Sequence, residues 1–409
     1  MDGLRAAQVS DGTRFVCAFR GARDSYQAAL ALAESDLLDT LITDAYGTPP
    51  AVRWLPHGVR AKFAGRTAPG LPPERVRSLW STTIVEHTRH ALGFSKRGTW
   101  LKLDRRFGEA AAERARRAQA NLLMYSPYAW EAFTADYAHT PKRVLFQYHP
   151  HPDLESTLLA EDRRRFPGFG ETCGDDAAPP TGELPISERD SWRHADAIIC
   201  SSTFTRRSLI AAGCDQRICR VIPYGIDLPS ERAASGGRRF EVLFVGSGGQ
   251  RKGLHHLLTA WQRSALAAGS RLTLVCRVID HGIRELARSR HGVEIREGVS
   301  ASELDDLYAR SHLMAMPSLV EGFGHVYLEA LARGCPVLGT PNSALPDLGG
   351  EQDGIFIVPA GDVDLLASQL KALSRRLTDD PALRAAARAV AARHPWSAFR
   401  ARLREVATT

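Results

Sequence analysis

No stretch of this 409-residue chain approaches the roughly 18 consecutive apolar residues that a membrane-spanning helix needs. The opening residues, Met1-Asp2-Gly3-Leu4-Arg5, lack the basic-then-apolar layout of a secretory leader. Cysteine is sparse and unpatterned. The seven (Cys17, Cys173, Cys200, Cys214, Cys219, Cys276, Cys335) include no Cys-x-x-Cys, so no zinc site is expected and reduced, buried thiols in the cytoplasm are. Two nucleotide fingerprints are also missing. Lys252 is followed by Gly253 rather than Ser or Thr, which excludes a P-loop, and Arg251 stands where a dinucleotide motif needs glycine. What is present is ordinary for a globular protein: 44% hydrophobic and 24% charged residues, at a length suiting two domains of about 200 residues each.

The formal charge of +7 is uneven: residues 51–120 hold 15 Lys or Arg against 5 Asp or Glu, so that window alone carries +10. Its arginines (Arg75, Arg77, Arg105, Arg106, Arg114, Arg116, Arg117) are mixed with Trp54, Trp80, Phe94, Trp100 and Phe107. The mixture fits core aromatics beside a solvated basic face. It also fits a membrane-surface helix or a groove for a lipid-linked acceptor, and peripheral contact with an anionic inner membrane face follows from that reading. No nucleic-acid motif accompanies it, so nucleic acid is not expected as a partner.

The chain alternates strand and helix patterns throughout, the signature of an α/β protein with doubly wound parallel sheets. Phe15–Phe19 reads as a strand, followed by a turn at Arg20-Gly21-Ala22-Arg23 and a helix over Gln27–Leu38. Leu41–Tyr46 and Arg143–Tyr148 read as further strands, the latter ending at His149-Pro150-His151-Pro152, where open sheets place ligands. Residues 163–185 have the composition of a long loop. Ala195–Cys200 is a strand entering a Ser/Thr-capped helix, and Pro229–Arg239 a polar linker. The expected domains are therefore 1–228 and 240–390, joined by 229–239, with 391–409 as a last helix.

The second half opens with the strand Phe240–Val245 and the loop Gly246-Ser247-Gly248-Gly249-Gln250-Arg251-Lys252-Gly253. Glycines and two cations before a helix suit a phosphate: backbone N–H groups and positive charge converge on it. Asp362-Val363-Asp364 spells an Asp-x-Asp, but its place before Leu365-Leu366 predicts a helix cap rather than a metal site. The organising stretch is Pro317 to Ala332. Glu321 and Glu329 stand out there among apolar residues, with Gly322-Phe323-Gly324 between them. At a helical rise of 1.5 Å per residue their backbones would lie about 12 Å apart. That suits a ligand whose two hydroxyl-rich ends flank a pyrophosphate; helix capping and solvated surface are the plainer alternative.

Glu321-Gly322-Phe323-Gly324, followed by Glu329 and Gly334-Cys335-Pro336-Val337, resembles the Glu-x7-Glu signature of the GT4 family of retaining glycosyltransferases, and the likeness extends along the chain. It implies a GT-B fold, two Rossmann-like domains facing a cleft, with the last helix crossing back to the first. It implies hexose transfer, with retention, from a UDP- or GDP-sugar to a glycan, lipid-linked or small-molecule hydroxyl, as in cell-surface polysaccharide or glycolipid synthesis. Glu321 would hold the sugar, Glu329 the ribose, and Arg251, Lys252 and Ser247 the pyrophosphate. Gly322, Phe323 and Gly324 would offer N–H groups, Gly21 would face the phosphates, and His149, with His151 in reserve, would sit beside the reacting sugar. Neither metal nor cofactor is implied. A sugar-phosphate synthase, an epimerase and a non-catalytic nucleotide-sugar binder are the alternatives.

Overall fold

The computed structural model describes residues 14–47, 66–82, 96–169, 186–230, 239–266, 268–377 and 380–409. Trp54, Phe94, residues 170–185 and most of the expected linker lie outside them. Two parallel sheets form the core. The first contains β1 (Phe15–Ala18), β2 (Leu38–Thr43), β3 (Val76–Ser78), β4 (Asn121–Tyr125), β5 (Arg143–Gln147), β6 (Ala197–Cys200) and β7 (Cys219–Val221), in the order β3-β2-β1-β4-β5-β6-β7. The second contains β8 (Phe240–Val245), β9 (Ser270–Val275), β10 (Val293–Arg296), β11 (Leu313–Ala315), β12 (Val337–Gly339) and β13 (Ile355–Ile357), in the order β10-β9-β8-β11-β12-β13. Strands such as Phe240–Val245 are nearly continuous apolar runs because helices cover both faces of a parallel sheet. Each sheet reverses its winding between two adjacent strands, β1 and β4 in one, β8 and β11 in the other, and ligands bind at such points.

The helix Leu254–Ser264 buries Leu254, Leu257, Leu258 and Trp261 beside the second sheet. The last helix, Trp396–Thr408, turns Phe399, Leu403 and Val406 inward and packs on the helix Gln27–Ala33 of the first domain. Arg400 donates to Gln27 Oε1 at 2.6 Å, Arg404 pairs with Glu34 at 2.7 Å, and Lys142 Nζ donates to the Val406 carbonyl at 2.8 Å.

Three local expectations need correction. The helix after β1 ends at Ala33, not Leu38, because Asp36 takes a left-handed turn (φ 55°) and Leu38 already opens β2. That strand therefore spans Leu38–Thr43 rather than 41–46. Residues 163–165 are not loop: Arg163, Arg164 and Arg165 form the last turn of the helix Pro152–Arg165, where cations complement the helix dipole.

The basic window is largely helix. Lys96–Ala118 buries Leu103, Phe107, Ala111 and Ala115 in the first domain. Four of its arginines have partners: Arg114 grips the Asp39 carboxylate at 2.7 and 2.9 Å, Arg105 meets Glu109, Arg117 meets Glu113, and Arg116 donates to the Asp136 carbonyl. The apolar face of this helix is thus committed to the core, leaving an anionic surface only charge to read. Among the described residues no helix is long and apolar enough to cross a membrane.

Candidate active site

The loops after β8 and β11, adjacent strands at the second switch point, carry Arg251, Lys252 and Glu321 to one place. Lys252 Nζ pairs with Glu321 Oε2, and Arg251 Nη1 lies 3.7 Å from the same oxygen. The loops are fastened to each other. The Arg251 carbonyl accepts from the Leu319 N–H at 2.9 Å, Arg251 Nη1 donates to the Val320 carbonyl at 3.2 Å, and the Glu321 N–H donates to the Asn342 carbonyl at 2.9 Å. Gly253 makes the first loop possible. It sits at φ +66°, and a Cβ there would lie 2.0 Å from the Pro317 carbonyl oxygen. Burial alone would push the Glu321 carboxyl up, but Lys252 and Arg251 overcome it and hold the group at about 2.

Glu321 sits in the loop, not in the first helical turn. Gly324, at φ +86°, is the N-cap of the helix His325–Ala332. Among the described residues the N–H groups of Gly322, Phe323 and Gly324 have no hydrogen-bond acceptor. Three free donors beside two cations form a receptor for anionic oxygen.

The first domain closes on this loop. Ser202, capping the helix Thr203–Ala211, donates Oγ to the Gly322 carbonyl at 2.6 Å, and Asp347 of the second domain accepts from the Thr203 N–H at 2.7 Å. Asp347 therefore ties the domains together. His149, just past β5, is half-buried, and its Nδ1, shielded from solvent, has no partner among the described residues. Burial foremost, then Arg251 and Lys252, lower its pKa to about 3, so the imidazole is neutral. His151 is instead structural. Its Nδ1 accepts from the Asp153 N–H at 3.3 Å at the start of the helix Pro152–Arg165, and its Nε2 meets the Arg189 carbonyl at 3.1 Å.

Other expected residues have surroundings of their own. Glu329 accepts a 2.9 Å bond from the Tyr308 hydroxyl, and burial raises its pKa. Ser247 is half-buried in the loop after β8. Gly21 donates to Asp44 Oδ1 at 2.9 Å, and a Cβ there would meet nothing. Asp362 accepts from the Leu365 N–H at 2.9 Å while Asp364 pairs with Arg263, as a helix cap would.

Sequence reasoning passed over two features. Arg23 lies 4.5 Å over the Tyr148 ring and donates to the Tyr128 hydroxyl at 3.2 Å, adding a third cation near His149. It is followed by Asp24, Ser25 and Tyr26, all left-handed (φ 44°, 51° and 63°) without a glycine among them. Such strain persists only where surroundings enforce it, and it clusters at functional sites. Half-buried Asp24 accepts a 2.6 Å bond from the Tyr125 hydroxyl, and desolvation of its carboxyl raises its pKa to about 7. The second feature is His325, whose ring lies 4.5 Å from Tyr224; burial lowers its pKa to about 4.

These depressed histidines predict acid sensitivity. Each binds its proton more readily in the unfolded chain, so stability falls as pH drops below about 6.5, towards about 3 for His149 and about 4 for His325. Glu321 adds to the loss from its ordinary 4.5 down to about 2, where its ion pair discharges. The slope is at most about 1.4 kcal/mol per pH unit for each group. Asp24, held at about 7, works the other way as pH falls from about 7 to 3.8. The histidine share is therefore read by difference: between pH 6.5 and pH 4 the melting temperature of His325→Gln should fall less than that of the parent.

Two Rossmann-like domains whose cleft is lined by loops from both define the GT-B architecture. Comparison with known proteins agrees. Over its whole length the fold matches the crystal structure of a glycosyltransferase from Rickettsia africae, with TM-score 0.62, 14% identity and 97% of both chains covered. Residues 239–376 match the family model described as glycosyl transferases group 1. The match covers most of the second domain and about a third of the chain, and over that stretch the chain is similar to the group 1 glycosyltransferases. Among characterised relatives, an MMP α-(1→4)-mannosyltransferase of Mycolicibacterium hassiacum is 31% identical over 39% of this chain and 40% of its own. A D-inositol 3-phosphate glycosyltransferase of Kineococcus radiotolerans is 32% identical over 53% and 57%. The similarity thus spans about half the length of these relatives.

Proposed function

We propose that the chain is a retaining glycosyltransferase. It would move a hexose from a UDP- or GDP-sugar to a hydroxyl of a glycan, lipid-linked or small-molecule acceptor. The observation that carries this reading is the convergence of Arg251, Lys252 and Glu321 beside three free N–H groups. An incoming pyrophosphate takes Lys252 and the N–H groups as its partners, and the released Glu321 carboxylate turns to the sugar hydroxyls. Charge develops on the leaving phosphate in the transition state, and cations already fixed there stabilise it without reorganisation. His149, neutral, offers a hydrogen bond beside the sugar without competing for the phosphate. Glu329 is assigned to the ribose, and Ser247 and Gly21 to the phosphates, on the family resemblance alone. The relatives' names, a mannosyltransferase and an inositol phosphate glycosyltransferase, favour a hexosyl donor and a small polar acceptor.

The test is a panel of UDP-, GDP- and dTDP-sugars assayed for nucleoside-diphosphate release. Slow release from one donor, retained anomeric configuration in the product and loss of both in Glu321→Ala establish the reading. No release and no donor binding across the panel defeat it. Lys252→Ala should raise the donor KM about tenfold or more, the worth of one charged hydrogen bond, with an unchanged circular dichroism spectrum. An unaltered KM would remove Lys252 from the donor site.

A further inference from the structure

Away from the Glu321 cluster, the helix Pro152–Arg165 of the first domain meets the helix Leu254–Ser264 of the second through a buried polar group. Asp162 Oδ2 lies 3.0 Å from His255 Nε2, and Asp162 Oδ1 lies 2.8 Å from His256 Nε2. One ligand atom from each residue falls within 4.8 Å of the others. The exposures are 4% for Asp162, 0% for His255 and 1% for His256, and the rings of Phe166 and Phe169 wall the group off.

This locus is poorly satisfied as it stands. Asp162 Oδ1, both nitrogens of His256, His255 Nδ1 and Gln250 Oε1 are buried with no hydrogen-bond partner among the described residues. The 2.8 Å approach of His256 to the carboxylate thus lacks the geometry of a hydrogen bond. Asp162 has no Lys or Arg within ion-pair distance among the described residues, so its charge is buried against two imidazoles and the Gln250 amide. Asp162 Oδ2 is satisfied by hydrogen bonds from His255 Nε2 and Gln250 Nε2, but Oδ1 and His256 Nε2 face each other unpaired. A cation taking the place of the His255 proton would satisfy all three side chains at once.

We propose that Asp162, His255 and His256 bind one divalent transition-metal ion of the zinc class, which clamps the two domains together. Two imidazoles and a carboxylate are the donor set of such ions, and three protein ligands leave a position for water. Gln250, donating to Asp162 Oδ2 at 2.8 Å and to the Leu159 carbonyl at 3.0 Å, orients the carboxylate from outside. The clamp is structural and distinct from the transfer centre. Its elements nevertheless continue from that centre: the Pro152–Arg165 helix starts three residues after His149, and Gln250 immediately precedes Arg251 and Lys252. Occupancy would therefore fix the spacing between His149 and the cations.

The full-length chain, stripped with chelator and desalted, is titrated with Co2+ and then Zn2+. One Co2+ per chain should bind with the visible absorption of a four-coordinate nitrogen/oxygen site, and Zn2+ should displace it. Zn2+ should raise the melting temperature and slow amide exchange in 152–165 and 254–264. His256→Gln and Asp162→Asn, checked for folding by circular dichroism, should each bind at least a hundredfold more weakly, while the exposed control His281→Gln binds normally. A wild-type chain that takes up no Co2+ would overturn the proposal, leaving a metal-free carboxylate–imidazole contact. Binding undiminished in a folded His256→Gln would overturn it equally. Metal uptake by a chain that transfers no sugar would leave this proposal standing and the transferase reading defeated.

Discussion

Glu321→Ala is expected to lower transfer by a hundredfold or more while binding free nucleoside diphosphate as tightly as the parent, or more tightly. The two halves of that result have one origin. Glu321 is the counter-ion of Lys252 when no donor is bound and lies close to Arg251, so its removal frees Lys252 beside the loop whose N–H groups are free, while Arg251 keeps Glu155 at 4.0 Å. A diphosphate then gains an uncontested positive site. The sugar loses the carboxylate that would hold its hydroxyls, and a contact of that kind is worth about 2.7–4 kcal/mol when it acts in the transition state. Calorimetry with UDP and GDP beside a release assay separates the two effects. Weakened nucleotide binding together with a lowered melting temperature would instead make Glu321 a structural ion-pair partner.

The second large effect is expected from a single methyl group. A Cβ on Gly322 would stand 1.9 Å from the Tyr148 carbonyl oxygen and 3.1 Å from His149 Cα, both backbone atoms of the opposite domain. Neither is a flexible side-chain end, so Gly322→Ala must either push the domains apart or displace the loop that Ser202 holds through the Gly322 carbonyl. Overpacking of this kind costs about 1–3 kcal/mol. In activity it should cost more, because His149 and Lys252 belong to different domains and this contact lies directly between the two segments that carry them. We expect kcat/KM to fall at least a hundredfold and the radius of gyration in solution to rise, with each domain's secondary structure intact. A variant as compact and active as the parent would show that the interface tolerates the methyl group.

The strands were legible because a parallel sheet covered on both faces needs unbroken apolar runs, and Phe240–Val245 and Val144–Phe146 supply them. Boundaries were less so. Nothing in Gln27–Leu38 marks Ala33 as the end of the helix, since the turn at Asp36 is made without glycine or proline. Lys252 and Glu321 stand 69 positions apart, and only the resemblance joined them before the fold did. Arg23 reads in sequence as a solvated turn cation, and its place against Tyr148 depends on three left-handed residues no composition rule anticipates. His255 and His256 are adjacent in the sequence, but nothing there marked them as a site. Their partner Asp162 stands 93 residues upstream of His255 and on another domain, so only the fold joins them.

The last helix also bears on how the chain is made. Arg400 completes a contact with Gln27, 373 positions earlier, and Phe399 packs beside Phe146 of the first sheet. At ordinary translation rates of about 5–20 residues per second, the first domain emerges tens of seconds before the segment that covers it. Throughout that interval the face later occupied by Phe399, Leu403 and Val406 is bare apolar surface on a nascent chain. Production at low temperature or with chaperone co-expression should therefore improve soluble yield.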